Sequence, residues 1–199
     1  MLIRIIIKSF LVLLLSCAVL MSSCSNEGND SENGDNNGQI PTVDWAADGV
    51  ITSGEYAKTT TFGNFALSWR SDTQNIYIGM RVKTTGWISL GIKPTSAMKD
   101  ADIILGYVDG SGTTITDQFG TSSFVHELDT SLGGTNDIIT YGGSESGGYT
   151  VIEFSRALDA GDEYDQVITS GDSPIIWAYG STDVISNRHA TRGSGTLNL

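Results

Sequence analysis

An all-β fold, two antiparallel sheets packed as a sandwich, is what three features of this sequence predict. From Val43 onward, apolar and polar residues alternate over short runs. Turn residues punctuate those runs at close intervals. There are 24 Gly and only 3 Pro in 199 residues, a balance that favours short strands and turns over helices. No stretch shows sustained helical periodicity, and there is no internal repeat.

The strands follow in order. Phe65, Leu67 and Trp69 alternate with Ala66, Ser68 and Arg70, and Ile76, Ile78, Met80 and Val82 alternate with Tyr77, Gly79, Arg81 and Lys83. Ile88, Leu90 and Ile92 repeat the pattern. Further strands are predicted over Asp102–Asp109, Thr113–Phe119, Asp137–Tyr141, Tyr149–Ser155, Ile175–Tyr179 and Thr196–Leu199. Turn signals lie between them at Ser71-Asp72, Asp109-Gly110-Ser111-Gly112, Gly133-Gly134, Gly142-Gly143, Gly147-Gly148 and Gly171-Asp172-Ser173-Pro174. Arg156-Ala157-Leu158 reads as a single helical turn before Gly161. With a strand at the very end, no further catalytic or membrane unit is expected after the sandwich.

The amino terminus reads as an address. Arg4 and Lys8 precede an apolar run from Phe10 to Met21, which is too short for a stable membrane span and has the layout of an export signal. Met21-Ser22-Ser23-Cys24 resembles a bacterial lipobox, so residues 1–23 are expected to be a lipoprotein signal and Cys24 the lipidated residue. The other cysteine, Cys17, lies within the apolar run, so no disulfide is expected. Residues 24–42 lack the apolar content to fold and read as an acidic tether carrying Glu27, Asp30, Glu32 and Asp35. The sandwich domain is assigned to 43–199. These segments imply an extracytoplasmic domain, anchored to a membrane by lipid. The acids after Cys24 are similar to surface-export signals, which favours outer-membrane or cell-surface display. A net charge of −12, from 23 Asp+Glu against 11 Lys+Arg, excludes sequence-independent binding to a phosphate backbone.

Several chemistries are absent. There is no Gly-x-Ser-x-Gly elbow, no phosphate-binding loop and no Cys-x-x-Cys-His, and the 2 histidines are too few for an all-His metal cluster. No catalytic constellation is found, so the domain is not expected to be an enzyme. Pairs of carboxylates carry no specificity among 23 acids. Two residues stand out. Met98 sits in the polar stretch Lys93–Asp100 between two apolar strands, and His189 sits in Ser186–Gly193 before the last strand. A thioether and an imidazole can fill both axial positions of haem iron. Equally, Met98 alone can be a loop residue folded back onto the core, and His189 alone a surface histidine. Arg188 and Arg192 flank His189, where they could meet haem propionates or be plain surface charge.

Gly86-Trp87-Ile88-Ser89-Leu90-Gly91-Ile92, then Met98, then Ala101–Asp109 resembles the signature of DOMON domains. The resemblance continues through Asn136-Asp137, Phe154–Leu158, Gly161-Asp162, Ile176–Gly180 and His189 with Arg192-Gly193, covering roughly Val43 to Leu199. In haem-binding members of that family, a Met after the Gly-Trp strand and a His near the last strand hold b-type haem. The resemblance therefore implies non-covalent haem b on Met98 and His189, with Trp87, Arg188 and Arg192 in the cofactor site. It also implies electron transfer to an unknown redox partner. The Trp-Ala-Tyr-Gly and His-x-x-Arg-Gly blocks look closest to the dopamine-hydroxylase-like branch, where haem is not the established role. DOMON domains are also similar to family-nine carbohydrate-binding modules, whose opening strand Asp48–Tyr56 resembles. The alternative is thus a glycan-binding surface module without a redox role, using aromatics such as Trp45, Trp87, Tyr107 or Tyr179.

Overall fold

The computed structural model describes residues 43–198. The signal, Cys24 and the tether lie outside the described residues. Among the described residues, eleven strands and one helical turn run in the order β1 (Lys58–Phe62), β2 (Phe65–Ser71), β3 (Asn75–Val82), β4 (Ile88–Ile92), β5 (Asp102–Asp109) and β6 (Gly112–Ser122). Then come β7 (Val125–Leu128), α1 (Asp129–Leu132), β8 (Ile138–Ser146), β9 (Tyr149–Ala157), β10 (Asp172–Tyr179) and β11 (Thr191–Asn198). They form a five-stranded sheet in the order β1-β2-β3-β9-β8 and a six-stranded sheet in the order β11-β10-β4-β5-β6-β7. Every pairing is antiparallel. The fold is the two-sheet sandwich that the alternation predicts.

The core is the inward phase of that alternation. Phe65, Leu67, Ile78, Met80, Ile152 and Phe154 from one sheet meet Ile88, Leu90, Ile92 and Ile104 from the other, all fully buried. Each such side chain contributes about 1.5–3 kcal/mol through its removal from water. Cross-strand register keeps the phases aligned, with Ile78 opposite Phe154, Leu67 opposite Met80, and Leu90 between Ile104 and Trp177.

Four local expectations are corrected. β1 (Lys-Thr-Thr-Thr-Phe) and β7 are strands that apolar alternation does not announce, because both are edge strands with mostly polar faces. Arg156 and Ala157 close β9 instead of forming a helical turn. Among the described residues the one helical turn is α1, ended by Gly133 at φ 105°, a left-handed cap for which glycine is suited. The segment Asp48–Tyr56 is irregular rather than an opening strand.

That irregular segment works as a strap across the outer face of the five-stranded sheet. Glu153, fully buried, accepts hydrogen bonds from the backbone N–H of Gly49 (2.8 Å) and Val50 (3.1 Å) and from the Tyr56 hydroxyl (2.7 Å). Trp45 Nε1 donates to the Tyr56 hydroxyl at 2.8 Å, and the Trp45 ring packs on Tyr77. Gly79 lies beneath; a Cβ there would stand 2.8 Å from the Tyr56 oxygen, so only glycine lets the strap come this close. Burial pushes both the Glu153 carboxyl and the Tyr56 hydroxyl upward. Removing the shared acceptor leaves three donors unsatisfied, at about 1–3 kcal/mol for each buried group. Glu153→Ala is therefore expected to lower unfolding stability by about 3 kcal/mol or more in urea titrations, while Glu153→Gln, which keeps an acceptor, costs much less. Equal losses in the two variants would mean that the latch is not what holds the strap.

Candidate functional site

Strand register fixes which loops share an end of the sandwich. Ile88 stands opposite both Gly106 and Tyr179, and Ile92 stands opposite both Asp102 and Ile175. The β4–β5 loop, with Met98, leaves from the Ile92 end. The β10–β11 loop, with His189, leaves from the Ile88 end, where Tyr179 pairs with Thr191. The two loops thus lie at opposite ends of β4, whose five residues span roughly 13 Å at ~3.3 Å per residue.

Met98 is also displaced sideways. It is the third residue of a tight turn, Ser96-Ala97-Met98-Lys99, in which Ala97 takes φ 51° and Lys99 N–H donates to the Ser96 carbonyl at 2.9 Å. Its own carbonyl lies over Gly120, where a Cβ would come within 1.6 Å of that oxygen. Gly120 follows Phe119 of β6, three strands away from β10. At ~4.8 Å per strand, that adds roughly 14 Å laterally. Two long side chains cannot close both separations onto one iron. The structure does not bring Met98 and His189 together, and its residues do not fit a Met/His-ligated haem.

The other residues of the expected haem site lie at the β10–β11 loop, away from Met98 and engaged in contacts of their own. His189 is half-buried, and Arg192 places its guanidinium 3.2 Å from the imidazole Nε2. Arg192 has no acceptor capacity, so it donates, and the nitrogen lone pair is engaged by a cation. Arg188 is exposed. Trp87 is 5% exposed and lies under the β10–β11 loop, its indole against Gly180, where a Cβ would stand 2.4 Å from Nε1. It is a packing residue between that loop and β4.

The end of the sandwich that carries His189 does have a cleft. About 430 Å³ opens between the two sheets, lined by Phe62, Gly63, Asn64, Trp177, Tyr179 and Thr191. Trp177 and Tyr179 are two apart on β10 and therefore share its inward face. Their rings are near parallel, 10° apart at 6.5 Å, and Phe62 stacks on Trp177 at 5.9 Å and 20°. Gly193 and Gly195 of β11 leave room for them. A Cβ on Gly193 would stand 2.2 Å from Trp177, and one on Gly195 would stand 2.3 Å from Phe62. Of these residues, the sequence singles out Tyr179. It passes over Phe62, Trp177, Asn64 and Thr191. The available signal was the bulky–small pairing of Trp177 on β10 with Gly193 on β11.

With two antiparallel sheets and an aromatic cleft between their ends, the molecule is a β-sandwich domain. The DOMON domain family matches residues 61–180, and the chain belongs to that family. A human relative, DBH-like monooxygenase protein 1 of Homo sapiens, is 31% identical over 121 residues, covering 61% of this chain and 19% of that protein. The chicken protein of the same name (Gallus gallus) is 28% identical over 139 residues, covering 68% of this chain and 22% of that protein. MOXD1 homolog 2 of Drosophila melanogaster is 26% identical over 135 residues, covering 67% and 17%. The chain thus spans about a fifth of the length of these relatives. Among solved structures, the cytochrome b domain of pyranose dehydrogenase from Coprinopsis cinerea superposes with a TM-score of 0.50 at 16% identity, over 67% of this chain and 74% of that one. That likeness is one of fold.

Burial, and then the charge of Arg192, hold the His189 imidazole below the ordinary histidine range. Arg192→Gln removes the second cause. An NMR titration is expected to find His189 protonating at lower pH than a free histidine, and at a higher pH in the variant than in the parent. An unmoved midpoint would mean that the two side chains do not meet.

Proposed function

We propose that this domain is a non-catalytic ligand-binding module, tethered to the extracytoplasmic face of a membrane through Cys24, and that it takes a small neutral sugar ring in the cleft beside Trp177. The cleft carries this reading. Its volume of about 430 Å³ lies within the range of small-ligand sites, and it combines apolar rings with a few polar groups that can fix orientation. The near-parallel rings of Phe62, Trp177 and Tyr179 offer apolar surface to the C–H face of a sugar. Asn64 supplies an amide and Thr191 a hydroxyl for its oxygens. A chain of net charge −12 favours a neutral ligand over an anionic one. Electron transfer through haem b has no such support here, because the two axial donors lie at opposite ends of the sheet.

The test is calorimetric titration of the full chain in detergent with glucose, galactose, xylose, cellobiose and maltose, beside a haemin titration followed by absorbance. At least one sugar is expected to bind. Its affinity should fall about tenfold or more, the weight of one lost stacking or polar contact of ~1.4 kcal/mol, in Tyr179→Ala and in Asn64→Ala. Met98→Ala should bind as the parent does. Absence of heat with every sugar would end the sugar reading. A six-coordinate haem spectrum that Met98→Ala abolishes would put the cytochrome reading in its place.

A further inference from the structure

The opposite end of the sandwich holds side chains that the cleft does not use. There the inward phase of β5, β6 and β9 passes from apolar residues to Asp102, Asp117 and Arg156. Asp102 and Asp129 are fully buried and Asp117 is 3% exposed, and the Asp165 side chain is 2% exposed. Asp137, just before β8, and Asp162, in the β9–β10 loop, complete the group. One oxygen each from Asp102, Asp117 and Asp165 lies within 4.8 Å of the others, and the same holds for Asp137, Asp162 and Asp165. Asp165 belongs to both sets. Arg156 is paired with Asp102 and, at 2.8 Å, with Asp165, which sets one positive charge against six carboxyl groups.

Unsatisfied atoms separate this cluster from an ordinary acidic surface. Both carboxylate oxygens of Asp129 are sealed from solvent without a hydrogen-bond partner, as are Oδ1 of Asp102 and Oδ1 of Asp117. Buried polar atoms in folded proteins are nearly all partnered. Asp129 lies close enough to feel the cluster: after burial itself, the charges of Asp117 and Asp165 raise it most. Burial and mutual repulsion push Asp117 up to about 6 and Asp129 up to about 8. What the group lacks is positive charge. Its donors are all hard oxygens, with neither sulfur nor imidazole among them, which selects hard cations over transition metals. Many carboxylates crowded in a dry site suit an ion that accepts six to eight oxygens, whereas Mg²⁺ holds on to its waters.

We propose that Asp102, Asp117, Asp137, Asp162 and Asp165 form a binding site for a divalent cation of the Ca²⁺ class, beside the sealed carboxyl of Asp129. The ion ties β5, β6, the start of β8 and the Asp162–Asp165 segment into one end cap. This site is independent of the cleft, and its success or failure leaves the sugar proposal untouched.

The test uses the full chain in detergent after EDTA treatment. Addition of 1 mM Ca²⁺ is expected to raise the melting temperature by on the order of 5 °C or more, as for a ligand well above its dissociation constant on a domain of this size. Mg²⁺ should raise it less. Asp117→Asn should melt no lower than the EDTA-treated parent, since it relieves repulsion, but should lose the Ca²⁺ response. If that variant does not fold, Asp137→Asn, at the half-buried rim, reads the same loss. Tyr164, next to Asp165 and packed on Phe119, should sensitise Tb³⁺ emission that Ca²⁺ displaces. Neither a thermal shift nor sensitised emission in the parent would overturn the proposal. So would a Ca²⁺ response retained in both variants.

Discussion

Arg156 is a guanidinium held wholly out of water between two sheets, and an unpaired charge there would be prohibitively costly. It meets Asp102 of β5 and Asp165 of the β9–β10 loop, and Gln166 donates its backbone N–H to the same Asp102 carboxylate at 3.3 Å. Satisfying this one cation therefore fixes how far the loop folds back and how β9 faces β5 across the gap. Above it, the inward positions are Phe154, Ile152, Ile104 and Leu90. Along β5, β6 and β9 the boundary between apolar core and polar cap falls within one inward step, from Ile104 to Asp102, Ile115 to Asp117 and Phe154 to Arg156.

That boundary gives the sandwich two dissimilar ends. One is open and aromatic, with the β1–β2 turn and the β10–β11 loop around it. The other is acidic, with Asp102, Asp117 and Asp129 buried in it. Between them the strands bring together fully buried Ile, Leu and Phe side chains.

Much of this was legible from alternation alone. Period-two runs such as Ile76–Val82 and Ile88–Ile92 fix both the existence and the inward face of the central strands, because burial on one face leaves no other solution. Edge strands escaped for the same reason: β1 has little buried face for a pattern to report. Strand order escaped entirely. Nothing local in Met98 or His189 says that their loops leave from opposite ends of β4, since that depends on pairings between residues some 80 positions apart, such as Ile92 with Ile175. The acidic cluster was half visible. Asp102 shares its phase with Ile104, and Asp117 shares its phase with Ile115, so each falls on the inward face; a carboxylate in a core phase is a signal that counting acids cannot give.

The strap has a mechanical corollary. Val43 is where the described chain begins, and Gly49 and Val50 are fastened to Glu153 before the first strand starts. Tension arriving along the preceding residues meets first the bonds of Val43 to Gly54 and Arg70 and of Ala46 to Glu55, and then the Glu153 fastening over β3 and β9. The sheets themselves are shielded behind that fastening, so a pull on the leading segment would peel the strap before it could unzip a strand.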